Sequence, residues 1–331
     1  MRRLLVQIAC GGLLCSKLAH AWEVDQLTGR ADPVPDITAA ADARILALLD
    51  EAVADVDARL GCGAPVDRAL RAVVRRFHRL AAVDARVKGR GALRALGYGA
   101  VAAWLETDPA LPRRSFGDRG DVFEGIPFGV APVLSAAGVC SVVRLADVEV
   151  GVDKVDHFLE DGFQYLRRSR GGERPDRAVR WGTYTENTYL GWATSSGFSR
   201  GDLRANWQGL QFYLTLLDPD RSPVTHDEDG CLARTGSFSW RDWVDPYWDE
   251  LRYPTTYTPR VRRWLAARLD EAGDAVCEDW DDWGVDVVGA ATDDAEAPWV
   301  GSRAREEVDA FELVRRCGWP AGRVSPETVA R

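Results

Sequence analysis

The chain has 331 residues and a mass of 36.5 kDa, of which 46% are apolar and 28% charged. The apolar fraction is that of a globular protein, which excludes a chain that is disordered throughout. The 42 Lys and Arg residues are outnumbered by 51 Asp and Glu residues. This acidic balance argues against nucleic acid as a main partner, because phosphate binding needs concentrated positive charge.

The first 21 residues have the three parts of a secretory signal peptide. They contain a positive start at Arg2 and Arg3, an apolar run and the sequence Ala-His-Ala up to Ala21, which has the form of a cleavage site. The run is too short to span a membrane. We therefore expect cleavage near Ala21 and a periplasmic or secreted protein. The removed segment holds three cations and no acid, so the mature charge is −12.

The apolar pattern that follows predicts a mainly α-helical protein with a single helical domain over residues 22–272. The predicted helices, in chain order, cover residues 39–60, 65–85, 91–106, 153–169, 178–196, 200–217 and 259–272. Residues 107–140 are rich in Pro and Gly and predict a long irregular connection. Residues 141–152 alternate in polarity and predict a small β-hairpin. No later segment is apolar enough to span a bilayer, so we expect no transmembrane segment in the mature chain.

The C-terminal segment 273–331 is acidic and is expected to be irregular, with a short helix near 303–316, and to pack on the domain. The mature chain keeps five cysteines, which are Cys62, Cys140, Cys231, Cys277 and Cys317. Export favours disulfides, but an odd number leaves the connectivity open. Cys277–Cys317 is the first pair we expect, because it would pin the C-terminal segment. No C-x-x-C pair occurs, which argues against a zinc–cysteine site.

Composition singles out residues 153–211 as the chemical centre. Lys, Asn, Gln and His are rare in this chain and total eleven after residue 21, and seven of them fall in this window. The seven are Lys154, His157, Gln164, Asn187, Asn206, Gln208 and Gln211. A residue type that persists against the bias of a chain is a candidate for a specific chemical role. We therefore place a polar centre within residues 153–213.

Three predicted helices each offer a polar stripe to this centre. On the first, Asp153 and His157 are i, i+4 neighbours, so the carboxylate is expected to fix the tautomer of the imidazole, with Lys154 at the margin of the stripe. A solvated polar face is the competing interpretation. The second helix offers Glu186, which small neighbouring residues would leave partly buried and in need of a partner. The third offers Asp202 and Asn206, with Ser199 three residues before Asp202 as a capping box would have it.

These residues carry a resemblance to known proteins. The pattern D-K-x-x-H-F from Asp153 to Phe158, a Glu on a later helix, and G-F-S-x-x-D-x-x-x-N-x-x-G from Gly197 to Gly209 resembles a signature of VanZ-like proteins and YfiM-like envelope lipoproteins. It is also similar to an exported bacterial family of unknown function. The match covers about 60 residues. The resemblance implies an envelope location and a helical core built around these polar residues. VanZ-like proteins are integral to the membrane, and nothing after residue 21 here is apolar enough for that.

Two classes of function follow from the candidate residues Asp153, Lys154, His157, Glu186, Asp202 and Asn206. In the first, they form a buried, mutually satisfied network that orients helices in a soluble, non-catalytic envelope protein, and this is the expectation we favour. In the second, His157, Glu186 and Asp202 form a metal-assisted or acid–base hydrolase site for an envelope component. One His and no clear nucleophile make a small catalytic set. The partner is then an envelope component or a membrane-associated protein, and the sequence assigns no cofactor or metal.

Overall fold

A computed structural model describes residues 23–29, 32–83, 99–116, 120–188, 191–192, 196–250 and 255–272. Of these residues 54% are helical and 11% are in strands, which confirms the expectation of a mainly α-helical fold. No helix in the described ranges combines the length and the apolar character needed to cross a membrane. The signal peptide, its cleavage site, the helix near 303–316 and the pair Cys277–Cys317 lie outside the described residues.

The first and the eighth of the described helices are longer than the others. The helices are α1 (Thr38–Leu60), α2 (Val66–His78), α3 (Ala100–Thr107), α4 (Pro132–Ala137), α5 (Val152–Asp156), α6 (Gly162–Arg168), α7 (Pro175–Glu186), α8 (Arg200–Leu217) and α9 (Pro259–Ala272). π-Helical turns at Arg79–Val83 and His157–Asp161 extend α2 and join α5 to α6. Short 3₁₀ turns are at Trp240–Asp242 and Pro246–Trp248.

The strands form four separate two-stranded ladders. They are β1 (Glu23–Val24), β2 (Val139–Cys140), β3 (Val142–Leu145), β4 (Val148–Gly151), β5 (Gly197–Phe198), β6 (Val224–His226), β7 (Leu232–Arg234) and β8 (Thr256–Tyr257). β1 and β2 pair in parallel, and the pairs β3–β4, β5–β8 and β6–β7 are antiparallel. The β3–β4 hairpin is the one expected near residues 141–152. The other three ladders were not expected, since two or three residues carry no readable alternation.

Two sequence expectations need correction. The helix expected at 178–196 begins at Pro175, and its described part ends at Glu186, before the strand at Gly197. A proline suits the first turn of a helix because its missing N–H would be unpaired there, so α7 begins earlier than the apolar pattern suggested. The connection 107–140 is irregular as expected except for the short helix α4 and strand β2.

Among the described residues the core comprises one large cluster and two smaller ones, and the buried apolar residues of the segment from α5 to α6 belong to the large one. The ring of Phe158 packs against Phe212, Trp240 and Trp248 with centroid distances of 5.3, 5.1 and 5.8 Å. Trp240 and Trp248 have no exposed area. The segment from Trp240 to Trp248 therefore folds over Phe158. It brings Glu250, two residues further on, to the polar centre.

Helices α6 and α8 cross at backbone contact, which brings their polar residues together. The crossing is formed by Gly162 and Gly209, and a Cβ at Gly162 would lie 2.6 Å from the Cα of Gly209. A Cβ at Gly209 would overlap the carbonyl oxygen of Phe158. Only glycine fits such a crossing, as close helix approach requires.

Two bonds join the loop between α1 and α2 to the segment before β7. A disulfide joins Cys62, in the loop between α1 and α2, to Cys231, before β7, across 169 residues. The N–H of Gly63 donates to the carbonyl oxygen of Gly230 at 2.7 Å beside it. Cys140 is a buried free cysteine. One disulfide is therefore described, Cys62–Cys231, and it differs from the pair Cys277–Cys317 that was expected first.

The segment that begins at Glu23 is buried from its first described residue. Glu23, Val24, Asp25 and Gln26 are each at most 4% exposed. The carboxylate of Asp25 accepts hydrogen bonds from the backbone N–H groups of Leu27 and Val122, both at 2.8 Å. This strand therefore delivers the Glu23 side chain to the protein interior.

Candidate functional site

Lys154 lies at the centre of the site. Its side chain has no exposed area, and its ammonium nitrogen lies 2.7 Å from Asp153, 2.6 Å from Asp202 and 2.7 Å from Glu250. A Cβ at Gly201 would lie 3.0 Å from the Lys154 Cε, so glycine leaves room for the lysine stem. Burial lowers the pKa of Lys154, but the three carboxylates outweigh it and raise that pKa well above its usual range. The lysine is therefore a permanent buried cation.

This one cation joins three distant parts of the chain. Asp153 comes from α5, Asp202 from the first turn of α8, and Glu250 from the segment after the second 3₁₀ turn. Glu250 also accepts a hydrogen bond from the hydroxyl of Ser199 at 2.8 Å. Ser199 caps α8 as expected, accepting from the Asp202 N–H at 3.1 Å. The start of α8 is thus fixed against α5 by charge-assisted bonds.

His157 follows Lys154 by three residues and is 2% exposed. Its Nε2 lies 3.1 Å from the Asp202 carboxylate, and its Nδ1 lies 3.0 Å from the Asp161 carboxylate. Burial lowers the pKa of His157, but Asp202 and Asp161 raise it well above its usual range. The ring is therefore an imidazolium at neutral pH, with a carboxylate at each nitrogen.

Asn206 lies one helical turn after Asp202 and completes the contact with His157. Its amide is 3.1 Å from the His157 Nδ1. With its oxygen facing the ring, the amide accepts a hydrogen bond from a protonated Nδ1. With its nitrogen there instead, it would donate to His157 O at 3.2 Å, to Asp202 O at 3.1 Å and to an unprotonated Nδ1 at 3.1 Å. The amide therefore connects the π-helical turn to α8, and the rare Asn has a structural reason to be there.

Glu186 lies at the end of α7, on the other side of Asp202. It is 2% exposed, and it accepts a hydrogen bond from the Ser199 N–H at 3.3 Å. Burial and the charge of Asp202 raise the pKa of Glu186 well above its usual range. A Cβ at Gly191 would lie 2.8 Å from its carboxyl oxygen. No direct bond between Glu186 and His157 exists among the described residues.

Three acids of the site were missed by the sequence analysis: Asp161, Glu250 and Glu23. Glu23 is buried beside Glu250, and burial and the Glu250 charge raise the pKa of Glu23 well above its usual range. Glu23 also bonds to the buried Tyr257. Only Asp161 had a readable signal, since it is i+4 from His157. We call the nine residues Glu23, Asp153, Lys154, Asp161, His157, Glu186, Asp202, Asn206 and Glu250 the buried network.

Two expectations about the first stripe are wrong. Lys154 lies at the centre of the network and not at a margin, because β4 leads directly into α5 and turns its first residues inward. Asp153 does not orient His157, since its oxygens bind the Lys154 Nζ at 2.7 Å and the Lys154 N–H at 2.9 Å. The solvated-face interpretation is also wrong, because Asp153, Lys154 and His157 are all buried. All six predicted site residues do come together.

The donor set around His157 fits a divalent metal poorly. Asp153, His157 and Asp202 each offer one ligand atom within 4.8 Å of the others. A metal ligand must be a neutral imidazole with a free lone pair, whereas both nitrogens of His157 face carboxylates. The Lys154 ammonium already binds Asp153 and Asp202, so a second cation there would meet a fixed positive charge.

The pH dependence of stability should report the proton held by Asp153. Burial raises the pKa of Asp153 from 3.8 to about 6, against the lowering effect of Lys154. Between these values the folded chain keeps a proton that the unfolded chain has released. The free energy of unfolding should therefore fall as the pH rises from about 4 to about 6, by at most about 3 kcal/mol from this group.

Urea unfolding at a series of pH values tests this expectation. Asp153→Asn should flatten the slope between these pH values, because the titrating group is gone. Asp176→Asn is the matched control, since Asp176 is exposed and its pKa is lowered to about 2 by its bond to Arg174. The contribution of Asp176 to stability is lost only as the pH falls below 3.8. The slope of the free energy of unfolding between about pH 4 and about pH 6 should therefore be the same in Asp176→Asn as in the parent. Equal slopes in Asp153→Asn and the parent would contradict the assignment.

Comparison of the chain with protein-family models, with curated proteins and with solved structures found no match. The resemblance to VanZ-like and YfiM-like proteins therefore stays a prediction from the motif. The class of site is defined by the geometry alone: a closed, charged network between helices.

Proposed function

We propose that the protein is exported to the cell envelope and that the buried network is the structural centre of a non-catalytic protein there. One observation carries the structural assignment. Every cationic group of the network is directed at carboxylates: the Lys154 ammonium at three of them and the two nitrogens of His157 at Asp202 and Asp161. A general base or a metal ligand needs a free lone pair, and a protonated His157 has none.

Burial supports the same assignment. Lys154 is 0% exposed, His157 and Glu186 are each 2% exposed, and Asn206 is 3% exposed. A substrate must reach the reacting groups of a hydrolase, and candidate sites are sought in accessible clefts. Buried charged groups that face opposite charges instead specify how helices pack, a role attested for polar residues in protein cores.

Export is supported by two features of different kinds. The first 21 residues have the parts of a signal peptide. The disulfide Cys62–Cys231 is a bond that persists in oxidising compartments and is rare in the cytosol. An envelope component or a membrane-associated protein is the partner we propose, and the acidic composition makes nucleic acid a poor partner. The intact mass of the protein recovered after secretion tests export: the mature chain should begin at Trp22, and a chain that keeps Met1 would contradict it.

The alternative is a metal-assisted or acid–base hydrolase that uses His157, Glu186 and Asp202. One observation favours it: Asp153, His157 and Asp202 place ligand atoms within 4.8 Å of one another. A neutral Glu186 beside them would be the proton donor. The hydrolase therefore requires a neutral His157 that binds a metal in place of its contact with Asp161 or Asp202.

Metal analysis separates the two functions. We expect less than stoichiometric metal in the purified protein and the same thermal unfolding midpoint with and without chelator, because Lys154 already neutralises Asp153 and Asp202. His157→Gln should lower the midpoint without abolishing any metal binding. The control is His226→Gln, on β6 outside the network. Stoichiometric zinc or manganese that is lost in His157→Gln and retained in His226→Gln would favour the hydrolase.

A further inference from the structure

Helix α2 presents a row of arginines to solvent. Arg68, Arg71, Arg75 and Arg79 are all exposed. Their spacing of three or four residues places them on one face of the helix, over about 16 Å. The opposite face is buried in the core through Ala69, Leu70, Val73, Val74 and Phe77. We call these four residues the arginine row.

The arginine row lacks acidic partners within the described part of the chain. The single contact is Arg71 with Asp67, at 3.9 Å between exposed side chains. No carboxylate of a described residue forms an ion pair with Arg68, Arg75 or Arg79. Their neighbour Arg76 differs, because it turns toward α1 and pairs with Asp55 and Glu51. Three exposed cations without an ion pair among the described residues are unexpected in a chain whose net charge is −9.

The chain itself contains a segment of complementary charge. Residues 273–302, which we call the acidic run, hold nine Asp and Glu residues and no Lys, Arg or His. Four of the nine lie within Glu278–Asp282. Five extended residues span about 16 Å, the length of the arginine row. Carboxylates accept two parallel hydrogen bonds from a guanidinium, so the chemistry of the two segments matches as well as their charge.

We propose that the acidic run docks on the arginine row, which makes this face of α2 an interaction surface for the protein's own C-terminal segment. The run starts directly after α9, which ends at Ala272. The five residues 273–277 that precede Glu278 reach about 18 Å when extended, and the 22 residues from 273 to 294 reach about 70 Å, whereas a domain of about 250 residues is about 45–50 Å across. The far part of the run, with Asp293 and Asp294, therefore reaches any part of the surface.

Tethering favours the acidic run over an anionic membrane as the partner of the arginine row. Single exposed ion pairs are weak, but a tethered segment acts at an effective concentration of millimolar order. A membrane of anionic lipid would have to overcome the net negative charge of the remaining surface. The docking does not depend on the role of the buried network, since no residue of the row belongs to it.

A glutamate-specific protease tests the docking in the full mature chain. The readout is the rate of cleavage after Glu278 and Glu296, the two Glu residues of the acidic run, in the parent and in the quadruple variant Arg68→Gln, Arg71→Gln, Arg75→Gln and Arg79→Gln. At about 0.02 M salt, where charges are weakly screened, cleavage of the parent should be at least about fivefold slower than cleavage of the variant. At about 0.5 M salt the two rates should agree, since screening releases the run.

A second quadruple variant controls for net charge. It replaces Arg167, Arg170, Arg177 and Arg180, which are exposed on and beside α6 and α7, by Gln and should be cleaved as slowly as the parent. All three proteins should unfold at the same midpoint, because the substituted side chains are exposed. Equal cleavage of the parent and the arginine-row variant at low salt would overturn the proposal. Loss of binding to phosphatidylglycerol vesicles in that variant, with unchanged cleavage, would overturn it in favour of a membrane surface.

Discussion

Lys154→Met should lower the free energy of unfolding by about 3–5 kcal/mol, the range seen when one partner of a buried charge cluster is removed. Methionine has a similar length, so the change removes the charge and little volume. Asp153, Asp202 and Glu250 would be left buried around an apolar side chain. Each carboxylate must then take up a proton or destabilise the folded protein, because burying an unpaired charge costs free energy.

Urea unfolding at neutral pH measures this loss, and Arg241→Met is its control. Arg241 pairs with Asp147, but the two side chains are 54% and 60% exposed, so that variant should lose little stability. The double variant Lys154→Met with Glu250→Gln should lose less than the sum of the single variants, since one of the unpaired charges is gone. A loss in Lys154→Met as small as in Arg241→Met would contradict the central place of the lysine.

Replacing Cys62 and Cys231 together by serine should lower the free energy of unfolding by about 2–5 kcal/mol. The bond closes a loop with a sequence separation of 169, and the chain-entropy relation gives about 5 kcal/mol as its upper value. The bond between Gly63 and Gly230 and the bond from the Leu232 N–H to Asp57 remain in the variant. They hold the folded geometry, so the loss comes chiefly from the larger freedom of the unfolded chain.

Reductant provides the matched test of the disulfide. It should lower the unfolding midpoint of the parent toward that of the double serine variant. A peptide map without reductant should recover Cys62 and Cys231 in one linked peptide pair. Free thiols at both positions would contradict the pairing. The same map reports on Cys277 and Cys317, which remain a prediction from sequence.

The parts of the site that depend on local pattern were readable in the sequence. The Ser199 cap follows from its spacing before Asp202 and is confirmed. The rarity of Lys and Asn pointed to Lys154 and Asn206, which are both buried in the network. Local spacing and composition therefore located the centre and its helices.

The parts that depend on tertiary contact were not readable. Glu250 lies 96 residues after Lys154, and one Glu in an acidic chain has no signature of its own. Asp153 and Asp161 are i−4 and i+4 from His157, and helical periodicity alone cannot choose between them. The structure selects Asp161, since Asp153 is already held by Lys154. The strand at Glu23 is two residues long, too short for a pattern.

The protonation state of His157 tests the structural account most directly, because a catalytic base or metal ligand there must be neutral. Nitrogen NMR of the histidine rings at about pH 7.5, one unit above the ordinary His pKa, reads the state of both nitrogens, with His157→Gln to assign the signal. The account predicts that both nitrogens of His157 carry protons, as the carboxylates of Asp161 and Asp202 require. A neutral ring at that pH, with one unprotonated nitrogen, would contradict it.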